Sequence, residues 1–241
     1  MQETEKHSTI RSVGLHLLPG ALITAFFFLA GPFLIQAGFP PILSLYLAIL
    51  LILIPFELGF LLYQGKKRNG RYSLDGVVLF RERTPILPMI AVIVVLYLWG
   101  SLVFTLLTTW DTFVTRTFFA WFPDWSFPFN LLGDSNQYSK AAFSVTIVAG
   151  FLLNGIAGPV VEELYFRGYL LPRFPASKGW AVLINILLFS LYHFFSPWQN
   201  LTRILIWLPL GYAVASKRNI YIGMWIHCLL NISGMVMAFV L

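Results

Sequence analysis

GPVVEELYFRGYLL, residues 158–171, decides how the rest of the chain is read. The sequence around it is lipid-soluble, yet this apolar run carries two adjacent glutamates and an arginine. A charge at mid-bilayer costs about 2.5–3.5 kcal/mol on insertion scales, so such residues face a bundle interior and serve a function. Left unpaired, Glu162, Glu163 and Arg167 would together cost roughly 7–10 kcal/mol. Glu163 and Arg167 stand at i and i+4, in the favourable order for an ion pair on one helix face. Glu162 points about 100° away and lacks that partner. One glutamate is therefore read as structural, and the other as free to work.

Composition sets the frame around that helix. Of 241 residues, 58% are hydrophobic and 11% charged, with a mean hydropathy of +0.78. These values exclude a soluble globular domain and predict an all-α, polytopic membrane helix bundle. At roughly 20 residues per span, the chain accommodates seven transmembrane helices. The spacing places them at about 13–37, 42–64, 85–108, 141–171, 179–196, 200–215 and 220–241. Residues 1–12 are expected as a cytoplasmic tail and 13–241 as one transmembrane domain, with a catalytic region at about 140–235. Residues 13–37 form too long an apolar run for a cleaved signal and read as a signal-anchor. The net charge of +6 is scattered over loops, which excludes a nucleic-acid surface. One cysteine, Cys228, excludes a disulfide framework and a multi-cysteine metal site.

Lysine and arginine counts orient the bundle. The tail, the 65–84 loop, the 172–178 loop and the 216–219 turn hold 12 of the 16 basic residues, against 3 on the other side (Arg116, Lys140, Arg203). The tail and basic loop are thus expected in the cytoplasm. The aromatic stretch 109–139 is expected to lie in the outer interface, or to supply an eighth helix. Asn154 and Asn185 read as interhelical hydrogen-bonding residues. Glu57, near the cytoplasmic end of its span, is expected to snorkel or to pair with a loop cation, with lining the cavity mouth as the alternative.

Two later helices carry the remaining intramembrane polar groups. FSLYH (189–193) places Phe189 and His193 on one face, and HCLLN (227–231) does the same for His227 and Asn231. Counting 1.5 Å per residue from the basic ends, Glu162, His193, His227 and Asn231 fall at roughly 15, 20, 10 and 16 Å. The expectation is one site, opening to the cytoplasmic half. A carboxylate and a histidine can deprotonate water, while a histidine and a carboxamide can steady an oxyanion. Alternatively Glu162, His193 and His227 could ligate Zn²⁺ with water as the fourth ligand. Cys228 lies about 100° from His227 and has no dedicated base, which argues against a cysteine peptidase.

These motifs, EELYFR (162–167), FSLYH and HCLLN, resemble the EExxxR, FxxxH and HxxxN pattern of the CPBP family. That family comprises the CAAX prenyl endoproteases and bacteriocin-processing enzymes and is also called Abi. The likeness spans about residues 155–233 and departs from the pattern at no motif position. It implies an intramembrane endopeptidase acting on lipidated, CAAX-type, bacteriocin-like or other membrane-associated peptides. Glu162 and His193 would activate water, His227 and Asn231 would stabilise the oxyanion, and Glu163 and Arg167 would support them. Many members are called metalloproteases; the metal-free mechanism is slightly favoured here because Asn231 is a better donor than ligand. The implied setting is a multi-pass protein of a prokaryotic plasma membrane, with membrane lipids and peptide substrates as partners. Two rival readings are an ion-coupled transporter, for which no repeated halves are seen, and a catalytically silent scaffold or immunity factor of the same fold.

Overall fold

The computed structural model describes residues 5–128, 130–133 and 135–240, and among these the chain is helical with no strand. Residues 1–4 of the expected tail, 129 and 134 of the aromatic stretch, and Leu241 lie outside the described residues. The helices form seven rods: α1 (Thr9–Gln36), α2 (Leu43–Asn69), α3 (Ile86–Phe118), α4 (Lys140–Arg173), α5 (Lys178–Tyr192), α6 (Asn200–Lys217) and α7 (Ile220–Val240). Five of them, α1 to α4 and α7, are long and apolar enough to cross a membrane. Of the other two, α5 has 15 residues and α6 has 18.

Local chemistry sets several rod ends. The Ser8 and Ser139 hydroxyls accept from the backbone N–H groups of Arg11 and Ala142, capping α1 and α4. Gly70 closes α2 in the left-handed region at φ 72°, and Lys66, Lys67 and Arg68 crowd its last turn, where cations suit the helix dipole. Helix α3 runs ten residues past its expected end at 108. The first part of the aromatic stretch is therefore helical, because Asp111 is buried there and accepts from the Thr202 hydroxyl at 2.7 and 2.9 Å.

Two rods are not uniformly α-helical. Ile49–Leu58 in α2, and Gly150–Ala157 and Glu163–Leu170 in α4, are wound as π-helix. Pro55 and Pro159 each remove one backbone donor, so a wider winding keeps the segment continuous where a strict α-helix would lose a bond. Asn185 then ties three rods together. Its amide donates to the Phe166 carbonyl at 3.1 Å and to His16 Nε2 at 2.9 Å, while His16 Nδ1–H donates to the Ser12 carbonyl. At Gly20 of α1, an added Cβ would lie 2.0 Å from the Tyr192 carbonyl oxygen, so only glycine lets α1 rest against the end of α5.

The bundle has two distinct ends. At one, Lys6 Nζ donates to the carbonyls of Pro172 and Phe174, and the His7 N–H to that of Arg173. There too the Leu79 N–H donates to Gly168 O and the Ile220 N–H to Phe80 O, while Arg218 pairs with Glu82. The tail, the basic loop and both short turns thus share one face, as the charge count expects. At the other end the Ile42 N–H donates to Leu131 O, Trp125 packs on Phe27, and Phe122 packs on Trp198.

The tail's attachment is titratable. His7 is buried beside Tyr169, and burial, then Arg11 and Arg173, lower its pKa from 6.5 to about 4. The unfolded or undocked tail therefore binds the proton first. Its docking should hold above pH 6.5 and weaken as the pH falls from 6.5 towards 4. Limited proteolysis within residues 1–12 across that range checks this, with His7→Phe expected to flatten the dependence.

Candidate active site

The local sequence of α4 and α7 builds the charged centre. Glu163 and Arg167 are both fully buried, with Oε1 to NH1 at 3.3 Å. The guanidinium lies 4.0 Å over the Phe189 ring and 5.8 Å from that of Trp207, so aromatic faces share the charge. Gly223 of α7 makes room for the carboxylate, since a Cβ there would fall 2.3 Å from Glu163 Oε2. One turn on, at i+4, His227 enters between the two glutamates. Its Nδ1 is 3.3 Å from Glu163 Oε1 and its Nε2 is 3.6 Å from Glu162 Oε2. Glu162 is therefore not left without a partner, as helix spacing alone suggests; its partner comes from α7.

His193 is placed differently, as the residue that caps α5. Its Nδ1 is 2.8 Å from the Phe189 carbonyl. A carbonyl can only accept, so Nδ1 carries the proton and neutral Nε2 presents its lone pair elsewhere. The turn that follows is held by Arg203, which donates to Ser196 O at 3.0 Å, Gln199 Oε1 at 3.1 Å, Asn200 Oδ1 at 3.3 Å and the Ser196 hydroxyl. Asn231 donates to the Asn154 carbonyl at 2.9 Å, fastening α7 to the π-wound part of α4. One amide hydrogen of Asn231 remains for another acceptor.

Glu162, His193, His227 and Asn231 all line a single cavity of about 460 Å³, and Tyr192 and Arg203 line it with them. Its remaining wall is mostly apolar. His193 ends a helix that starts at the basic face and runs about 22 Å from it, past the middle of a core about 30 Å thick. Ile42, Leu132, Ser196, Gln199 and Met237, which also line the cavity, lie at the end of the bundle away from the basic loop.

Two groups depart from what the sequence reading favours. Glu57 neither snorkels nor meets a loop cation; it is fully buried and interacts electrostatically with Glu162 and Tyr192. The Tyr192 hydroxyl in turn faces both carboxylates. The signal was present, since a carboxylate within an apolar run marks a site by default, but the nearby basic loop offered it a competing explanation. Arg203 was placed near the outer end of its span, with no hint that it braces the turn after His193.

The alternative zinc set fares poorly on geometry. Among the described residues, no three His, Cys, Asp or Glu side chains are grouped so as to hold a metal ion. His227 reaches Glu162, but His193 does not complete a ligand set with them.

Removing the cation from this centre should be costly, because a buried charge that loses its partner is left uncompensated. Arg167→Met is expected to destabilise the fold by about 3–5 kcal/mol. Thermal unfolding in detergent measures it, and the loss should shrink when Glu163→Gln is combined with it.

Residues 144–233 match a protein-family model described as type II CAAX prenyl endopeptidase, Rce1-like. This segment contains all three motifs and every polar residue of the cavity except those from α2 and α3. No curated protein and no solved structure matches the chain.

Proposed function

Since its residues 144–233 belong to the CAAX protease (CPBP) family of Rce1-like endopeptidases, we propose that this integral membrane protein hydrolyses peptide bonds of membrane-associated substrates with Glu162 and His193 activating water. The observation that carries the reading is the convergence of Glu162, His193, His227 and Asn231 on one cavity from three separate rods.

The chemistry follows from the donors and acceptors present. A water between Glu162 and His193 gives one proton to the Glu162 carboxylate and a hydrogen bond to His193 Nε2, whose lone pair the Phe189 carbonyl leaves free. The hydroxide adds to the scissile carbonyl carbon. The oxyanion takes the spare amide hydrogen of Asn231, with His227 beside it. Collapse breaks the C–N bond, and Glu162 returns its proton to the leaving amine. Glu163 and Arg167 touch no substrate in this scheme. They hold His227, and through it the Glu162 carboxylate, in place. The scheme is written without a metal, on the support that among the described residues no three His, Cys, Asp or Glu side chains are grouped as ligands. Membrane lipids, and lipidated or membrane-embedded peptides, are the expected partners.

Cleavage of a panel of quenched fluorescent peptides by detergent-purified protein tests this. Glu162→Gln and His193→Ala should each lose about 10²–10⁴-fold in kcat, the usual worth of a positioned acid–base group. Asn231→Ala should lose about 10²–10³-fold, as for one oxyanion donor. Chelator should leave the rate unchanged. Equal rates in wild type and all three variants would sink the proposal, and chelator inhibition would replace the metal-free step.

A further inference from the structure

A third buried glutamate has no part in the scheme above. Glu57 is the one polar side chain of the π-wound segment Ile49–Leu58 in α2, and it is fully buried. That segment packs against the Gly158–Glu162 turn of α4, and Glu57 interacts with Glu162 across the contact. Two other neighbours of Glu57 are already engaged. Arg167 pairs with Glu163, and the Tyr165 hydroxyl donates to the Leu15 carbonyl at 2.8 Å. Tyr192 is left. Its hydroxyl interacts with both Glu57 and Glu162, and no other group among the described residues hydrogen-bonds it or either Glu57 oxygen. The Tyr192 ring is firmly held. It stacks on Phe189 at 10° between planes and meets Phe166 edge-on at 5.0 Å, and Gly20 leaves it room, since an added Cβ would lie 2.7 Å from Tyr192 Cδ2.

We propose that Glu57 is a positioning residue for the hydrolysis, holding the Tyr192 hydroxyl as a donor to the Glu162 carboxylate. The inference rests on the protease reading for what Glu162 does, but not for how the three groups are connected. The hydrogen-bond inventory fixes the direction. A tyrosine hydroxyl has one hydrogen to give and can also accept, whereas an ionised carboxylate only accepts. Facing two carboxyls, the hydroxyl satisfies one, and the other has to donate to it. Glu162 is the carboxylate of the two, since it takes the proton from water. The chain therefore runs from Glu57 O–H to the Tyr192 oxygen and from Tyr192 O–H to Glu162, each donor strengthening the next. An ionised Glu57 would instead be a buried charge whose nearby cation, Arg167, is already paired. Leucine at position 57 keeps a similar volume and removes a buried polar group, which a fold tolerates well. It also leaves the Tyr192 hydroxyl free to turn its hydrogen away from Glu162.

Steady-state cleavage of a fluorescent peptide by detergent-purified variants tests this. Glu57→Leu and Tyr192→Phe should each lower kcat by about 10–10²-fold, the cost of misplacing a reacting group, with KM little changed. The double variant should be no slower than the slower single one, because both changes break the same chain. Glu57→Gln, whose amide still donates to Tyr192, should lose less than Glu57→Leu. Losses that multiply in the double variant, a wild-type kcat in Glu57→Leu, or a Glu57→Gln as slow as Glu57→Leu overturns the inference. Infrared difference spectra of wild type minus Glu57→Gln decide the matter should the leucine variant not fold. They should contain the carbonyl stretch of a hydrogen-bonded, neutral carboxylic acid, and that band should shift in Tyr192→Phe. Carboxylate bands in its place, or a band indifferent to Tyr192→Phe, overturn the chain. The expected spectra with no cleavage by wild type sink the protease reading and leave the chain standing. Cleavage by wild type with an unaffected Glu57→Leu does the opposite.

Discussion

Everything in this bundle is arranged around a buried ion pair that could not stand alone. Glu163 and Arg167 have no exposed surface, and an isolated pair in that position would recover little of what its burial costs. The surroundings make up the difference. Two aromatic faces lie against the guanidinium, His227 reaches the carboxylate, and Gly223 removes the side chain that would have kept α7 away. Because His227 touches both glutamates, the structural pair and the free carboxylate are one electrostatic unit. A change in either half is felt by the other, so stability and chemistry cannot be varied independently here.

The backbone serves the same centre. Regular α winding from 140 to 173 would set each side chain 100° from the last, yet α4 widens on both sides of the Gly158–Glu162 turn. The winding changes are concentrated around the cavity-lining Glu162, and π-helical turns are common at functional sites. They leave backbone groups for neighbouring rods to use, and the neighbours use them. Asn231 takes the Asn154 carbonyl and Asn185 takes that of Phe166. Each irregularity within the membrane is thus answered by a side chain from another rod, as hydrocarbon surroundings require.

The sequence was most legible where a cost is local. Intramembrane charge announced the Glu163–Arg167 pair, and FSLYH and HCLLN pointed to His193, His227 and Asn231, which line one cavity with Glu162. The sorting of basic loops onto one face could be read from composition and is seen in the contacts of Lys6, His7 and Arg218. What could not be read depends on tertiary neighbours. Glu57 looks like a snorkelling residue until Tyr192 is brought beside it by α5. The extra turns of α3 were not expected because residues from 109 onward read as an interfacial segment, and only Thr202 of α6 explains the burial of Asp111.

The shortness of α5 reaches beyond the protein itself. Fifteen residues span about 22 Å, against a hydrocarbon core of about 30 Å. Trp180 and Leu191, near its two ends, are largely exposed, so lipid has to meet a rod that is too short for it. Hydrophobic mismatch of this sign draws the bilayer thinner around the rod. The polar boundary is then drawn towards the end of α5, where His193 follows. On the hydrolytic reading proposed above, the thickness of the surrounding membrane becomes one of the terms that set how near bulk water comes to the cavity.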